Sequence, residues 1–345
     1  MVESDPEIAE ELSNHTTEAL GEINIFHING DEIQKAENTF GIFSEDRHYN
    51  IIYPAWELPR YPKVWAEMID KFDEVWAPSQ FIYNALIDVI TKPVIWMPLG
   101  CEARFRSFLG RRYFGLPETA YIFLFTFDLT SYVKRKNPGA VLSAFSEVLR
   151  RRPHDDLHLV LKVSGSERHP EDLETLRRMT EQHPGEITII DRRLTDNEIR
   201  NLMRNADCFI SLHRSEGYGR GLAEAMYMGL PTIATGFSGN MDFMTETTSR
   251  LVHYQLVPLG QQDYPHADGQ LWAEADVEHA VELMLQLVDD PAAGRALGER
   301  ASRHIRQNFG YRAIGLRYRE RITRILDQLP SRMSKVMPVL QTGGI

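Results

Sequence analysis

The chain predicts a doubly wound α/β fold with parallel sheets in two domains, and three observations carry that prediction. Short runs rich in Ile, Val, Phe and Tyr alternate with longer stretches at helical period, the signature of strand–helix–strand units. Helix starts are plainly marked, as at Asn137-Pro138 and Asp290-Pro291. At 345 residues the chain exceeds the usual size of one core.

In chain order, helical period appears first over 6–20. Strands are then expected at 23–28, 50–55, 74–77 and 94–98, with helices at 62–72 and 80–90. A Phe/Arg-rich link after Pro98-Leu-Gly-Cys-Glu102 puts the domain break near 100–112, so the first domain is taken as 1–103. Further strands are expected at 121–127, 157–163, 187–190, 206–212, 232–234 and 251–253. Helices fall between and after them at 138–151, 170–182, 195–204, 221–228, 276–287 and 291–307, giving a second domain over 104–309. A last helix is expected over 311–326 within a segment 310–330, and 331–345 reads as a disordered tail. Strands produced by such alternation pair in parallel and are covered on both faces.

Composition narrows the function classes. Hydrophobic content of 43% and charged content of 25% fit a soluble globular protein. A formal charge of −11 argues against nucleic acid as a partner. Basic residues nevertheless gather between Arg300 and Lys335. That stretch reads either as a peripheral contact with anionic lipid or as a solvated helix face. Cys101 and Cys208 lie far apart with no CxxC spacing, so both are expected to be small buried hydrophobes. There is no basic n-region with an apolar h-region, and no apolar stretch near the ~20 residues that span a bilayer. The default location is the cytoplasm, with the inner membrane face as the place for any peripheral contact.

The most informative segment runs from Ser211 to Thr235. An apolar strand ends on a turn holding His213, Glu216, Gly217, Gly219 and Gly221, and a helix carrying Glu224 follows. Gly229-Leu-Pro231 breaks that helix into the next strand. Glycines let backbone amides approach a ligand, and free N–H groups at a helix start favour anions. A carboxylate one turn further in offers two acceptors to neighbouring sugar hydroxyls. These parts together describe a pocket for a nucleotide diphosphate-sugar.

The same residues carry a family resemblance. Glu216 and Glu224 stand in the E-x7-E spacing of retaining glycosyltransferases with the GT-B fold, family 4 (glycosyl transferases group 1). Phe127-Asp-Leu-Thr-Ser131, Arg135-Lys-Asn-Pro138, Ser238-Gly-Asn-Met-Asp-Phe-Met244 and Trp272-Ala-Glu-Ala-Asp276 resemble blocks of one bacterial surface-polysaccharide subgroup. So do His27-Ile-Asn-Gly-Asp31, Tyr53-Pro-Ala-Trp-Glu-Leu-Pro59 and Asp73-Glu-Val-Trp-Ala-Pro-Ser79, and the likeness extends over residues 23 to 325. The resemblance implies two Rossmann-like domains facing a cleft, with the last helix crossing back onto the first. The activity it implies moves a hexose from a nucleotide-sugar donor to a glycan or lipid-linked acceptor. No metal or other cofactor is expected, because such relatives stabilise the leaving diphosphate with cations and a helix N-terminus.

Roles carry over residue by residue. Glu224 resembles the glutamate that holds the ribose hydroxyls, and Glu216 the one near the transferred sugar. Lys136 resembles the phosphate cation, with Arg135 as its substitute. The family usually adds an Arg after a Gly shortly before that Lys, where this chain has Phe127-Asp128 and a longer loop. Arg220 or Ser131 is therefore expected to replace it. The amides of Gly219, Arg220, Gly221 and Leu222 are expected at the β-phosphate. Gly239 and Asn240 either edge the donor sugar or form a plain glycine turn, and His213 serves either the sugar or the loop. In a front-face mechanism the leaving phosphate oxygen takes the acceptor's proton, so no side-chain base is required.

On the acceptor side His27, Asn29, Asp31, Trp56 and Glu57 lie at or just past two strand ends, the edge where open α/β sheets place ligands. Trp56 is expected to stack on an acceptor sugar and Glu57 to hydrogen-bond it, while Trp76 and Trp96 are read as core. The first domain is short for this fold. It reads as a short variant that forms a homo-oligomer, as a fragment, or as one subunit whose partner supplies the missing unit, the first being preferred. A non-catalytic or partner-dependent subunit that binds a nucleotide sugar or a partner chain is the competing class.

Overall fold

The computed structural model describes residues 20–43 and 48–336; the helix expected over 6–20 lies outside them except for its last residue. The first unit runs β1 (Ile23–Phe26), α1 (Ile33–Phe40), β2 (Tyr49–Ile52), α2 (Lys63–Ile69), β3 (Glu74–Ala77), α3 (Gln80–Ile87) and β4 (Val94–Trp96). Its four strands are parallel in the order β1-β2-β3-β4. β2 and β3 are buried at every position, which is why they read as continuous runs and not as alternation. α1 escaped the sequence reading. It is eight residues long, buries only Ile33 and Ala36, and ends on Gly41 at φ 58°.

The second unit opens with β5 (Tyr121–Asp128), a four-residue helix α4 (Val133–Lys136), α5 (Pro138–Arg151), β6 (Leu157–Ser164), α6 (Pro170–Thr180) and β7 (Ile187–Ile190). It continues with α7 (Asp196–Asn205), β8 (Cys208–Ser211), α8 (Arg220–Tyr227), β9 (Thr232–Thr235) and β10 (Arg250–Val252). The order of its parallel sheet is β10-β9-β8-β5-β6-β7. The winding therefore reverses between β5 and β8, and the carboxyl ends of those two strands form the crevice where such sheets take ligands. Local chemistry sets the helix starts. Thr195 and Glu198 form a reciprocal capping box on α7, Ser79 caps α3, and Pro138 and Pro170 open α5 and α6.

An antiparallel hairpin, β11 (Tyr254–Pro258) with β12 (Leu271–Ala275), follows β10 and was not foreseen. β11 has no buried residue and β12 buries Trp272 and Ala273 on opposite faces, so the pair lacks the alternation by which strands are read. α9 (Val277–Asp289) and α10 (Pro291–Asn308) then cover the sheet. The last helix, α11 (Tyr311–Val336), continues past the expected end at 326. This corrects the disordered tail, whose first residues are helical; residues 337–345 lie outside those described.

Two apolar layers sandwich the six-stranded sheet. One centres on Phe123, Phe145 and Val163, the other on Leu124, Phe209 and Met226. Cys208 and Cys101 are buried in these layers, as expected of small hydrophobes. Ile325 of α11 packs with Ile51, Tyr53 and Trp76 of the first unit, and Tyr318 and Ile322 join them. Within that layer Glu74 is wholly buried, accepting from Trp76 Nε1 at 2.6 Å and Tyr49 Oη at 3.0 Å and paired with the Arg321 guanidinium. A buried carboxylate left without its cation costs about 3–5 kcal/mol. Arg321→Ala is therefore expected to lower the unfolding free energy by roughly that amount in urea titration; a loss under 1 kcal/mol would place Glu74 in contact with water.

Candidate active site

The cleft begins where β5 ends. Asp128 Oδ1 accepts from the amide and hydroxyl of Thr130 at 2.7 and 2.6 Å, turning the chain sharply. Tyr132 at φ 63° and Asn137 at φ 57° then bracket α4. Non-glycine residues in this region cost about 1–3 kcal/mol each and persist only where surroundings fix them. The surroundings here are specific. Arg214 donates its amide to the Arg135 carbonyl at 2.8 Å and Nη1 to the Lys134 carbonyl at 2.5 Å, and Asn137 Nδ2 donates to the Leu212 carbonyl at 3.0 Å. The strain aims Arg135 and Lys136 at the turn that follows β8.

That turn is held from both units. The Glu216 amide donates to Ser238 Oγ and its carbonyl accepts from the Gly239 amide, both at 2.8 Å. A Cβ on Gly239 would overlap the Gly217 carbonyl, so only glycine fits this close approach. From the first unit, Ser79 Oγ donates to the Gly217 carbonyl at 2.6 Å. Gly219, at φ 94°, then starts α8, whose first-turn amides lack intrahelical acceptors.

Glu216 meets two cations. Its Oε1 lies 2.5 Å from Lys136 Nζ and 3.3 Å from Arg135 Nη1. Burial alone would raise this carboxyl, but the charges of Lys136 and Arg135 hold it down at about 2. Arg135 is 3% exposed; burial opposes its charge, and the carboxylates of Glu216 and Glu57 outweigh that and keep it protonated. Its Nη1 donates to the Ser215 carbonyl at 2.7 Å, Nη2 lies 4.0 Å from Glu57 Oε1, and its Nε is buried without a protein acceptor.

Ser131, Arg135, Lys136, Glu216, Gly219, Arg220, Gly221 and Leu222 line one cleft of about 270 Å³, together with Glu57 from the first unit. Glu224 stands one turn along α8, 3.8 Å from Arg220 with 34% of its side chain exposed. Burial pushes its carboxyl upward, and Arg220 and Arg200 draw it partly back. His213 is wholly buried, with Nδ1 3.1 Å from Ser211 Oγ and Nε2 3.1 Å from Asn240 Oδ1; burial lowers its pKa and keeps the ring neutral.

The structure sets aside one of the two readings of Gly239 and Asn240 and corrects the expectations for Trp56 and Trp96. Asn240 is not at a donor edge, because it is wholly buried against His213 and donates Nδ2 to the Thr235 carbonyl at 3.0 Å. Gly239 packs beneath Gly217. Trp56 offers no face to a sugar, being 2% exposed and enclosed by Tyr61, Trp65 and Tyr264. Trp96 is only partly buried and lies at the junction of the units, with Nε1 2.8 Å from Asp242 Oδ2 and the Arg317 guanidinium 5.1 Å from its ring centre. Trp76, in contrast, is core.

The remaining first-unit candidates sit apart from the cleft's described lining. Asn29 Oδ1 accepts from the Ala55 amide at 3.0 Å, His27 packs on Tyr53 with ring centres 4.7 Å apart, and Asp31 is exposed. The sequence reading missed Thr126 and Tyr218, which line the cleft, and Ser79 and Ser215, which clamp its turn. Only Ser79 had a signal, as a helix cap after Pro78.

Two larger cavities, of about 560 Å³ beside β10 and about 460 Å³ around Trp96, are bordered by neither Glu216 nor Lys136. Among the described residues, His169, Glu171 and Asp172 place potential metal ligands within 4.8 Å of one another, and none of them lines the cleft.

With this geometry in place, similarity to known proteins is informative. The family model described as Glycosyl transferases group 1 matches residues 111–304. A GDP-mannose-dependent monoacylated alpha-(1-6)-phosphatidylinositol monomannoside mannosyltransferase of Corynebacterium glutamicum is 27% identical over 205 residues, 57% of this chain and 45% of that protein. Trehalose synthase of Pyrococcus horikoshii is 25% identical over 156 residues, 45% of this chain and 31% of that protein. The chain thus spans less than half the length of these curated relatives.

Among solved structures, sucrose-phosphate synthase from Thermosynechococcus elongatus superposes with a TM-score of 0.67 at 15% identity, over 93% of this chain and 78% of that one. Anabaena HepE in complex with UDP and glucose gives 0.66 at 13% identity, over 92% and 81%. At such identities the likeness is one of fold, and the fold is GT-B.

The clasp on Glu216 has a pH signature. Its folded pKa lies below the unfolded value of 4.5, so its stabilisation is complete above 4.5 and is lost as pH falls toward about 2. Glu216→Gln is expected to flatten the acid limb of stability against pH in that window, read by thermal melts. Limbs of equal slope in the two proteins would show that the carboxylate is not held this way.

Proposed function

The chain belongs to the glycosyl transferases group 1 family, and from that premise we propose that it is a retaining hexosyltransferase. The reaction moves a hexose from a nucleotide diphosphate-sugar to a glycan or lipid-linked acceptor in the assembly of a bacterial surface polysaccharide. The observation that carries this reading is the ionised Glu216 clasped by Lys136 and Arg135 at the head of the glycine turn.

The chemistry follows from the charges. A carboxyl held at about 2 is an anion at neutral pH, so Glu216 cannot serve as a general acid. As an anion it favours oxocarbenium-like charge on the transferred sugar. Lys136, Arg135 and the first amides of α8 take up the charge that develops on the departing diphosphate. The bond from the anomeric carbon to the phosphate oxygen breaks as the acceptor oxygen bonds on the same face. The acceptor's proton passes to that phosphate oxygen. Glu224 accepts from the ribose hydroxyls, and Arg220 or Ser131 supplies the further phosphate contact. The family's members generally need no metal, and the cations here support the same assignment.

The location proposed is the cytoplasmic face of the membrane. No helix among the described residues is long and apolar enough to cross a membrane. Several basic residues of the C-terminal region face protein partners: Arg306 lies over Tyr227, Arg317 over Trp96, and Arg321 and Arg324 pair with Glu74 and Glu320. This leaves less of the region for lipid than its composition implies. One observation favours a second reading, dependence on a partner or a second copy. β1 is an edge strand, and among the described residues only β2 pairs with it. If a second copy covers it, light scattering on the purified chain should show a dimer or larger species; a monomer would remove the second copy and leave a partner subunit.

Turnover of UDP-glucose and GDP-mannose by the purified chain tests the main proposal. Glu224→Ala is expected to weaken UDP or GDP binding by about 1–3 kcal/mol, from lost charged hydrogen bonds. Glu216→Ala should lower turnover far more than nucleotide affinity, and EDTA should leave turnover unchanged. Equal losses in turnover and affinity for Glu216→Ala would refute its role beside the sugar, and a protein silenced by EDTA would refute the metal-free mechanism.

A further inference from the structure

Tyr264 has no part in the reading above, yet it bridges the two units. It lies in the 259–270 connection between β11 and β12, is 8% exposed, and has its ring centre 5.6 Å from Trp56 and 4.5 Å from Tyr132. Its hydroxyl donates to Glu57 Oε2. Glu57 Oε1 faces Arg135 Nη2 at 4.0 Å, and the Glu57 carbonyl accepts from Ser215 Oγ. A carboxylate with one oxygen on a phenol and the other toward a guanidinium has a single orientation. Its remaining lone pairs are free to accept, and the residue borders the cleft.

The connection that carries Tyr264 is itself docked across the gap. The Arg60 amide donates to Gln270 Oε1 at 3.1 Å, and Gln270 Nε2 donates to the Arg60 carbonyl at 2.7 Å. Asp263, next to Tyr264, pairs with Lys134 of α4 at 2.6 Å. The hairpin thus touches both the acceptor-side loop and the element that presents the two cations. Burial, with the charge of Glu57 added, pushes the Tyr264 hydroxyl well above its ordinary range, so it remains a donor.

We infer that Tyr264 is a positioning residue that fixes Glu57 to receive the acceptor hydroxyl, so that docking of the hairpin and orientation of the acceptor are one event. This inference rests on the glycosyltransferase reading and extends its acceptor side. As the acceptor docks, its hydroxyl donates its one proton in a hydrogen bond to Glu57, and as the anomeric bond breaks that same proton turns to the departing phosphate oxygen and leaves with it.

Tyr264→Phe keeps the ring and removes only the hydroxyl. Turnover of UDP-glucose or GDP-mannose with water as acceptor, and affinity for UDP and GDP, are the readouts. The variant is expected to lose ten-fold or more in kcat with nucleotide Kd within two-fold of the parent. Glu57→Gln should do the same, and the double variant should be no worse than the worse single one, because the two residues act as a unit. Parent-like turnover in Tyr264→Phe, additive losses in the double variant, or a nucleotide Kd that worsens as much as kcat would each overturn the assignment. A parent chain that turns over neither nucleotide sugar while still binding UDP or GDP overturns the proposed function itself and this role with it.

Discussion

Two cations on α4 close on one carboxylate in the turn after β8, 80 residues further along the chain. Lys136 and Glu216 have side chains only 17% and 13% exposed, and Arg135 is 3% exposed. Charges removed from water in this way are tolerated only with close pairing and further hydrogen bonds. That requirement organises the surroundings. The left-handed conformations of Tyr132 and Asn137 aim the cations, Arg214 holds the carbonyls of α4, and Ser238 and Gly239 hold the main chain of Glu216. Site strain and site charge are therefore one arrangement, positioned at the reversal of strand order between β5 and β8.

The cleft is also an interface between units, where polar contacts run beside the ring contacts of Trp56 with Tyr264 and Phe81 with Phe237. Ser79 reaches the Gly217 carbonyl, the Gln80 amide and Trp96 reach Asp242, and Arg60 exchanges hydrogen bonds with Gln270. Interfaces of this polar kind allow relative domain motion more readily than apolar ones. Further apolar attachment comes from α11, where Tyr318, Ile322 and Ile325 pack on the first sheet. The long helix thus joins the units through apolar packing, while the polar contacts around the cleft join them through hydrogen bonds.

Legibility in the sequence followed the range of the interactions. The strands of both sheets read correctly because each is a short apolar run, fully buried in β2, β3, β8 and β9, and α5 and α7 because Pro138 and Thr195 mark their starts. The turn with Glu216 and Glu224 was legible because glycine, a helix start and carboxylate spacing are local. Trp56 misled, since an aromatic residue past a strand end has the same local pattern whether it faces a cleft or lies under Tyr264. Asn240 misled in the same way, and the hairpin went unseen because neither of its faces is consistently buried.

Sequence alone determined the class of fold, the periodicity of its elements and the run of glycines and carboxylates at the turn after β8, because each depends on neighbours within a few positions. Tertiary structure alone decided that Arg135 stands beside Lys136 on Glu216, that Ser131 and Arg220 share their cleft, and that Tyr264 reaches Glu57 from the other unit. Those pairings join residues distant along the chain. Only the packing of the sheets and the docking of the hairpin bring such groups within the few ångströms at which buried charges and hydrogen bonds act.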